Sequence, residues 1–243
     1  MPKEILSFRL WGDYALYTKP WCNREQQSYL IPPKTSLFGL IGSILGCGKE
    51  EYLEKLDFDE IKTGINLKNF EGKELHGYNF MHGKNLDKKT KNLSNPYRNP
   101  SRKGALSPTR LEFIRNPEYR IYLYLKDKKI KRQLSDFLRK NKCVFPPYLG
   151  QVNLFANFGD FYKTELDEKN VNYSETAAPA EIIDGSEIEG KIYNERLPVK
   201  MEEDRSSPKF KSIAISKDNP LKIKDDSKYL IGETTQGSQI VLF

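Results

Sequence analysis

The order of the strands and helices that the sequence predicts is typical of an α+β fold of the ferredoxin-like (RRM-like) type. Residue periodicity gives a strand, a helix, two strands, a second helix and a further strand within the first 168 residues. A run of cations lies between the middle strands, where a long hairpin would project as a thumb. We therefore predict a ferredoxin-like domain over residues 1–168, with a basic β-hairpin insertion at about 75–113, and a β-rich C-terminal extension over residues 169–243.

The first strand and the first helix are predicted within the N-terminal 46 residues. Ile5–Leu10 alternates weakly between apolar and polar residues, which favours a short strand. After two prolines a helix is predicted over Lys34–Gly46, because five aliphatic residues recur there at helical spacing: Leu37, Leu40, Ile41, Ile44 and Leu45. Three glycines, at positions 39, 42 and 46, share one side of this helix, which indicates close packing on the sheet or, less favoured, a ligand.

The remaining elements follow from alternation and amphipathic spacing. Strands are predicted at residues 61–70, 75–81, 110–114, 119–125 and 158–165. Apolar residues line one side of segment 128–142, and lysine and arginine line the other, which predicts a second helix. In the C-terminal extension, short strand-like runs occur at residues 192–199, 211–215, 229–231 and 239–243.

Most of the positive charge lies in one segment. Residues 83–110 contain eight lysines and arginines against one aspartate, which accounts for the whole formal net charge of +7. Asparagine, serine, proline and glycine separate these cations, so the segment cannot bury itself. Residues 1–150 carry a net charge of +12 and residues 151–243 carry −5. This asymmetry predicts that the first part of the chain contacts nucleic acid.

Several other classes of protein are disfavoured. The longest apolar stretch, Leu37–Cys47, is too short and too rich in glycine to span a bilayer, and no signal peptide is visible, so we expect a cytoplasmic protein without a membrane partner. The three cysteines are odd in number and far apart, which argues against a disulfide framework or a zinc ribbon. We predict no metal or cofactor, because neither His76 nor His82 lies beside an acidic cluster, and Gly46–Lys49 lacks the hydroxyl residue of a phosphate-binding loop.

Candidate phosphate ligands lie in the basic segment. Arginine forks grip phosphate in a bidentate manner and stack on bases, which a solubilising loop does not require. The alternative for this segment is a charged face that is only solvated. The candidates are Arg98, Arg102, Lys103 and Arg110.

The loop before the first helix is a second candidate region. Binding of single-stranded RNA requires cations that follow phosphates, aromatic faces for bases and donors for hydroxyl groups. Thr35 and Ser36 could donate to a phosphate at the start of the helix, with an ordinary N-cap as the alternative. Core packing is the alternative for the aromatic rings, and it is least favoured for the tryptophan. The aromatic and basic candidates are Tyr17, Lys19, Trp21, Arg24 and Lys34.

Three sequence motifs resemble those of a known family. The most specific combines Gly12–Tyr17, Pro20 and Tyr29–Gly46, and Arg110–Tyr122 and Pro147–Gly150 strengthen the match. On these motifs the chain resembles CRISPR-associated protein family five, of the RAMP superfamily, over about residues 4–165. The aromatic residues around the tryptophan at position 21 and the second arginine block resemble the type I-B branch of that family.

The resemblance implies both a fold and a role. It implies a ferredoxin-like domain with a thumb hairpin, in a non-catalytic subunit that caps the 5′ handle of the CRISPR RNA (crRNA) within a type I Cascade surveillance complex of antiviral defence. The implied protein partners are the large subunit and the backbone subunit, and target DNA is a further candidate partner. By position, Tyr17, Lys19, Lys34, Thr35 and Ser36 would lie near the handle, with Arg98, Arg102, Lys103 and Arg110 on the thumb.

Two other functions remain open. One branch of the family that the chain resembles cuts CRISPR precursor RNA without metal, through a Tyr, Lys and His group, and only His76 and His82 could supply the histidine here. Neither directly follows a lysine, so we expect a non-catalytic subunit and keep a metal-independent endoribonuclease as the alternative. The third possibility is a basic adaptor that bridges proteins and touches RNA only incidentally.

Overall fold

The computed structural model describes residues 2–22, 25–49, 51–81, 106–185, 190–202, 207–224 and 226–243. The helices are α1 (Lys34–Leu45), α2 (Tyr52–Lys55) and α3 (Lys128–Arg139), with one 3-10 turn at Ala180–Ile182. The strands are β1 (Lys3–Trp11), β2 (Tyr14–Ala15), β3 (Glu25–Gln26), β4 (Ile61–Asn69), β5 (Gly72–Met81), β6 (Leu106–Arg115), β7 (Glu118–Leu125), β8 (Asn157–Glu168), β9 (Tyr173–Ser174), β10 (Ala178–Pro179), β11 (Ile192–Lys200), β12 (Lys209–Ser216), β13 (Leu221–Lys222), β14 (Leu230–Thr234) and β15 (Gln239–Leu242).

Six antiparallel strands form the main sheet, in the order β15-β14-β8-β1-β7-β4. β1 lies inside this sheet, where Phe8 stands opposite Ile121 of β7. At the two ends of the order, Thr63 and Phe243 exchange backbone hydrogen bonds of 3.0 and 3.1 Å, so the sheet nearly closes on itself. The structure is therefore α+β and mostly β. Two strands of the predicted C-terminal extension complete the main sheet, while the ferredoxin-like assignment and the division after residue 168 stay predictions.

Helices α1 and α3 cover one face of the main sheet. Ile41 and Ile44 of α1, with Leu134 of α3, join the same buried cluster as Phe8 and Ile121 of the sheet. Each of these side chains is fully buried, and full burial of such a side chain contributes about 1.5–3 kcal/mol to folding. The predicted helix at residues 128–142 is shorter in the structure and begins where the Asp127 carboxylate accepts hydrogen bonds from the N–H groups of Lys129 and Ile130.

The three glycines of the first helix do not pack on the sheet, so the expectation from the sequence was wrong. Gly46 ends α1 in the left-handed region, with φ of 78°, and its N–H bonds to the carbonyls of Gly42 and Ser43. Gly42 faces α2, because a Cβ at this position would lie 2.8 Å from the Cβ of Tyr52. A Cβ at Gly39 would meet no atom within 4 Å, so this residue faces open space.

β5 and β6 form the stem of an antiparallel hairpin. Their pairing runs from Gly72 opposite Arg115 to Met81 opposite Leu106. β2 and β3, from the loop before α1, also pair with β6 and tie that loop to the hairpin. The tip that the sequence analysis assigns to the basic segment falls at residues 82–105, outside the described residues.

A second sheet comes from the C-terminal part of the chain. β12 pairs with β10 on one side and with β11 on the other, and we call β11 and β12 together the C-terminal ribbon. Its register shifts between Pro198 and Lys200, so Val199 forms a β-bulge. The cysteines at positions 22, 47 and 143 are free thiols. Within the described ranges, no helix is long and apolar enough to cross a membrane.

Candidate nucleic-acid interface

A groove of about 470 Å³ opens beside the N-terminal turn of α1. Three parts of the chain form its walls: the loop before α1, the first two turns of α1, and the C-terminal ribbon with its flanking residues. A fourth segment, which follows α3, contributes Tyr148 and Gly150. The groove therefore joins the first half of the chain to the C-terminal part. Its lining residues include Leu16, Tyr17, Thr18, Pro20, Tyr29, Pro33, Thr35, Ser36, Gly39, Pro198, Met201, Pro208 and Phe210.

The start of α1 supplies hydrogen-bond donors to the groove. Pro33 occupies the N-cap position and makes no side-chain cap, and the first turn contains no acidic residue. The first N–H groups of an α-helix have no acceptor within the helix, and the helix dipole favours an anion at that end. Thr35 is buried, Ser36 is half-buried, and both line the groove. The start of α1 therefore has the donors that a phosphate requires, and a phosphate contact by Thr35 and Ser36 stays a prediction.

An open aromatic surface contacts two residues that line the groove. Trp21 is 53% exposed, although its indole packs edge-on against Tyr29 and at a tilt against Phe210, both at 5.9 Å between ring centroids. Two aromatic neighbours hold the indole while half of its surface stays accessible. Such a ring can stack on an unpaired base.

The tyrosines of the loop are more buried than an open stacking surface requires. Tyr17 is 4% exposed and Tyr29 is 1% exposed. Burial raises the pKa of both hydroxyls well above their ordinary range. The Tyr29 hydroxyl is buried with no hydrogen-bond partner among the described residues. The burial of Tyr17 agrees with the core-packing alternative, and an RNA contact by Tyr17 stays a prediction.

The cation of Lys19 is committed to an internal ion pair. Its Nζ lies 3.0 Å from Oε1 of Glu195 and 5.5 Å from the ring centroid of Tyr29. The side chains of Lys19 and Glu195 are only 15% and 10% exposed. The other carboxylate oxygen of Glu195 accepts a 2.8 Å hydrogen bond from the N–H of Leu30. Lys19 thus ties the loop to the C-terminal ribbon, and a phosphate contact would compete with Glu195.

Lys34 is buried and does not line the groove. Its Nζ donates hydrogen bonds to the backbone oxygens of Phe58, at 2.8 Å, and Phe243, at 3.3 Å. Burial lowers the pKa of Lys34 to about 7, and the nearby cation of Lys62 acts in the same direction. The structure therefore places Lys34 outside the groove that Thr35 and Ser36 line, although the sequence analysis places all three near the RNA handle.

Only one of the predicted thumb residues lies in the described ranges. Arg110 is exposed on β6, at the register position of Gly77 on β5 and of Glu25 on β3. It lines a separate cavity of about 540 Å³ with Glu25 and Tyr78. Four other predicted cations, three of the thumb and one of the loop before α1, fall outside the described residues: Arg98, Arg102, Lys103 and Arg24.

One of the two histidines belongs to an aromatic cluster on the hairpin. The ring centroid of His76 lies 5.7 Å from that of Tyr14 and 5.1 Å from that of Phe113, and its Nε2 is 3.2 Å from a carboxylate oxygen of Glu74. His82 falls outside the described residues. In the described part of the chain, no three His, Cys, Asp or Glu side chains are grouped as metal ligands would be.

The sequence analysis missed the groove residues that follow α3 and those of the C-terminal ribbon. Gly150 has φ of 94°, and a Cβ there would lie 2.0 Å from the carbonyl oxygen of Leu16, so this position requires glycine. The sequence gives a sign of this in the motif Pro147–Gly150. Nothing in the local sequence indicates that Pro198 and Phe210 line a groove, because only the tertiary pairing of the strands brings them there.

Comparison with known proteins identifies the family. The family described as CRISPR-associated protein (Cas_Cas5) matches residues 5–213. The chain belongs to this family. Membership confirms the resemblance drawn from the motifs, whereas the type I-B branch stays a prediction. No curated protein matches the sequence.

Two solved structures share the fold of this family member. A chain described as a CRISPR RNA-guided surveillance complex is 12% identical, with a TM-score of 0.51, and the alignment covers 92% of this chain and 91% of that chain. The crystal structure of a CRISPR protein from Archaeoglobus fulgidus is 13% identical, with a TM-score of 0.53 and coverage of 100% and 98%. At these identities the similarity shows the fold alone.

Proposed function

We propose that this protein is a cytoplasmic, non-catalytic subunit of a type I CRISPR surveillance complex that binds and caps the 5′ handle of the crRNA. In this proposal it also contacts the large subunit and the backbone subunit. The observation that supports it most is the groove beside α1, whose lining includes an uncapped helix start and the two rings, Tyr29 and Phe210, that hold the open indole of Trp21.

The groove and the indole that packs on its lining have the three chemical features that a single-stranded RNA end requires. Free helix N–H groups and the hydroxyls of Thr35 and Ser36 can bind a terminal phosphate. Trp21 offers a ring face to a base, and the buried hydroxyl of Tyr29 offers a hydrogen bond to a group that enters the groove. A basic thumb would add phosphate contacts along the strand.

A binding experiment with a matched control tests the groove. We expect Trp21→Ala to weaken binding of a labelled RNA carrying the 5′ handle by about 5- to 100-fold, since stacking contributes about 1–3 kcal/mol per base. Fluorescence anisotropy measures this affinity. The control is Tyr173→Ala, which removes another half-exposed aromatic side chain that does not line the groove. Equal affinity of wild type and Trp21→Ala would exclude the groove as the handle site.

Capping also predicts how the 5′ end of the RNA affects its affinity for the protein. An RNA extended beyond its 5′ end should bind more weakly than the authentic handle, and a scrambled sequence should bind more weakly still. Equal affinity for all three RNAs would instead favour the basic adaptor that touches RNA only incidentally. Purification from the source cells should recover crRNA together with the two expected protein subunits.

The non-catalytic assignment has its own test. Incubation of the purified protein with its repeat RNA in the presence of a chelator should leave the RNA intact. Cleavage that His82→Ala abolishes would establish the metal-independent endoribonuclease in its place. His76→Ala is the matched control, because the structure places that ring in the aromatic cluster of the hairpin.

A further inference from the structure

A second concave site, the lysine pocket, lies across the C-terminal ribbon from the groove. Its volume is about 470 Å³. Along β12, Phe210 lines the groove, whereas its neighbours Lys209 and Lys211 line the pocket, as the alternation of side chains along a strand requires. Asp59 supplies the one carboxylate side chain among the described lining residues. The six lysines of the lining are Lys34, Lys62, Lys200, Lys209, Lys211 and Lys228.

A β-bulge builds part of this cluster. Pro198 of β11 stands opposite Phe210 of β12, and a regular ladder would then place Val199 opposite Lys209. The register shift places Lys200 opposite Lys209 instead. Like charges that face each other directly across two strands are destabilising, and bulges commonly re-aim a side chain at a functional site. The Asp59 carboxylate offsets this repulsion at Lys200, and an anion beside Lys209 would offset it further.

The carboxylates around the pocket do not neutralise all of these cations. Lys200 pairs with Asp59 at 2.5 Å, and Lys228 lies 3.8 Å from Asp226. Lys211 donates to the Tyr229 hydroxyl at 2.6 Å and lies 3.8 Å from a carboxylate oxygen of Glu181. Neither Lys62 nor Lys209 makes a hydrogen bond or an ion pair with any residue that the structure describes. At least two ammonium groups that have no ion-pair or hydrogen-bond partner among the described residues therefore line the same concavity.

The charges of the lining indicate the class of ligand. A lysine ammonium binds phosphate as a flexible point charge, so several lysines can surround a chain of phosphates without the fixed bidentate geometry that an arginine fork imposes. The described lining contains lysine and no arginine. Several such charges around one cavity favour a ligand with two or more adjacent phosphates. We propose that the lysine pocket binds clustered phosphate groups, carried either by a nucleic-acid backbone or by a free nucleoside polyphosphate.

The test uses the full chain and inorganic tripolyphosphate, measured by isothermal titration calorimetry at low salt. The double variant Lys62→Gln with Lys209→Gln should bind tripolyphosphate about tenfold more weakly than wild type, because two partly solvent-exposed ion pairs with phosphate are lost. The matched control removes two exposed lysines of α3, Lys128→Gln with Lys129→Gln, and should bind as wild type does. Absence of binding by wild type, or equal weakening in both double variants, would overturn the proposal.

Three further probes identify the source of the phosphates. Weaker binding of a short oligouridylate by the Lys62 and Lys209 double variant supports a nucleic-acid backbone, whereas weaker binding of ATP with unchanged oligouridylate affinity supports a free nucleotide. Polyglutamate that binds as tightly as tripolyphosphate, with the same dependence on the two lysines, would overturn the phosphate class in favour of an acidic protein segment. Trp21→Ala should leave tripolyphosphate affinity unchanged, so failure of the handle proposal and failure of this one are distinguishable.

Discussion

Replacement of Lys34 by methionine should change how the stability of the protein depends on pH. The amino group of Lys34 is buried, and only two backbone oxygens, those of Phe58 and Phe243, accept hydrogen bonds from it among the described residues. A neutral amine has two N–H bonds and can serve both oxygens, whereas the third donor of an ammonium would have no acceptor there. Burial therefore favours the neutral form, against the attraction of Asp59 and Asp57.

The magnitude follows from the shift of the pKa. Lys34 has a pKa of about 7 in the folded protein and an ordinary value of 10.5. Between these values the unfolded chain binds more protons than the folded chain, so the free energy of unfolding rises with pH. Each pKa unit corresponds to about 1.4 kcal/mol, so the whole effect is about 5 kcal/mol, of which about 2 kcal/mol falls between about pH 7 and about pH 9.

Urea denaturation of wild type and Lys34→Met at several pH values in this window measures the effect. The methionine variant loses two hydrogen bonds at every pH, but the difference in free energy of unfolding between the two proteins should change by about 2 kcal/mol across the window, in favour of wild type at high pH. Groups common to both proteins cancel in this difference. Lys129→Met, at an exposed lysine of α3, should keep the wild-type pH dependence. Parallel curves for wild type and Lys34→Met would refute the reasoning.

Three other predictions concern the glycines of α1, the ion pair of Glu195 and the thumb. Gly39→Ala should stabilise the protein by about 0.5–1 kcal/mol, because alanine has the higher helix propensity and its Cβ would meet no other atom. Gly42→Ala should destabilise the protein by about 1–3 kcal/mol, because its Cβ would press on Tyr52. Thermal unfolding measures both effects. Glu195→Ala should lower the free energy of unfolding by about 2–4 kcal/mol, because it leaves the Lys19 cation and the Leu30 N–H buried without their partner. Glu51→Ala removes only an exposed ion pair and should lower it by about 0–1 kcal/mol. If the thumb makes four to six phosphate contacts, log affinity for RNA should fall against log salt with a slope of about −3 to −4. The variant that combines Arg98→Ala, Arg102→Ala and Lys103→Ala should flatten this slope. An unchanged slope in that variant would show that the thumb does not contact the RNA.

Elements that local periodicity determines were predictable from the sequence. Helix α1 begins at Lys34, as predicted, because two prolines precede it and its aliphatic residues share one face. Its end was predictable as well, since the left-handed conformation at position 46 favours glycine. The strand at residues 119–125 was predicted within one residue of β7, because its alternation matches a sheet with one well-buried face.

Features that depend on distant partners were not predictable from local patterns. Lys34 follows two prolines at a helix start and has the local signs of a surface cation. It is buried because the backbone oxygens that hold it come from residues 24 and 209 positions away in sequence. The Lys19 ion pair likewise joins residues 176 positions apart. The short apolar runs near the C-terminus predicted strands, but they did not indicate which strands pair with each other. The near closure of the main sheet could therefore not be predicted from the sequence.

The C-terminal ribbon separates the two concave sites, and its alternation explains how one short strand can serve both. Phe210 supports the indole of Trp21 on one side, while the lysines before and after it face the other side. A shift of the register of β12 by one residue would exchange these faces and put a cation under the indole. The ion pair of Glu195 with Lys19 fixes β11, the strand that pairs with β12, against the loop before α1. The pair thus has a positional role that its modest net energy alone would not suggest.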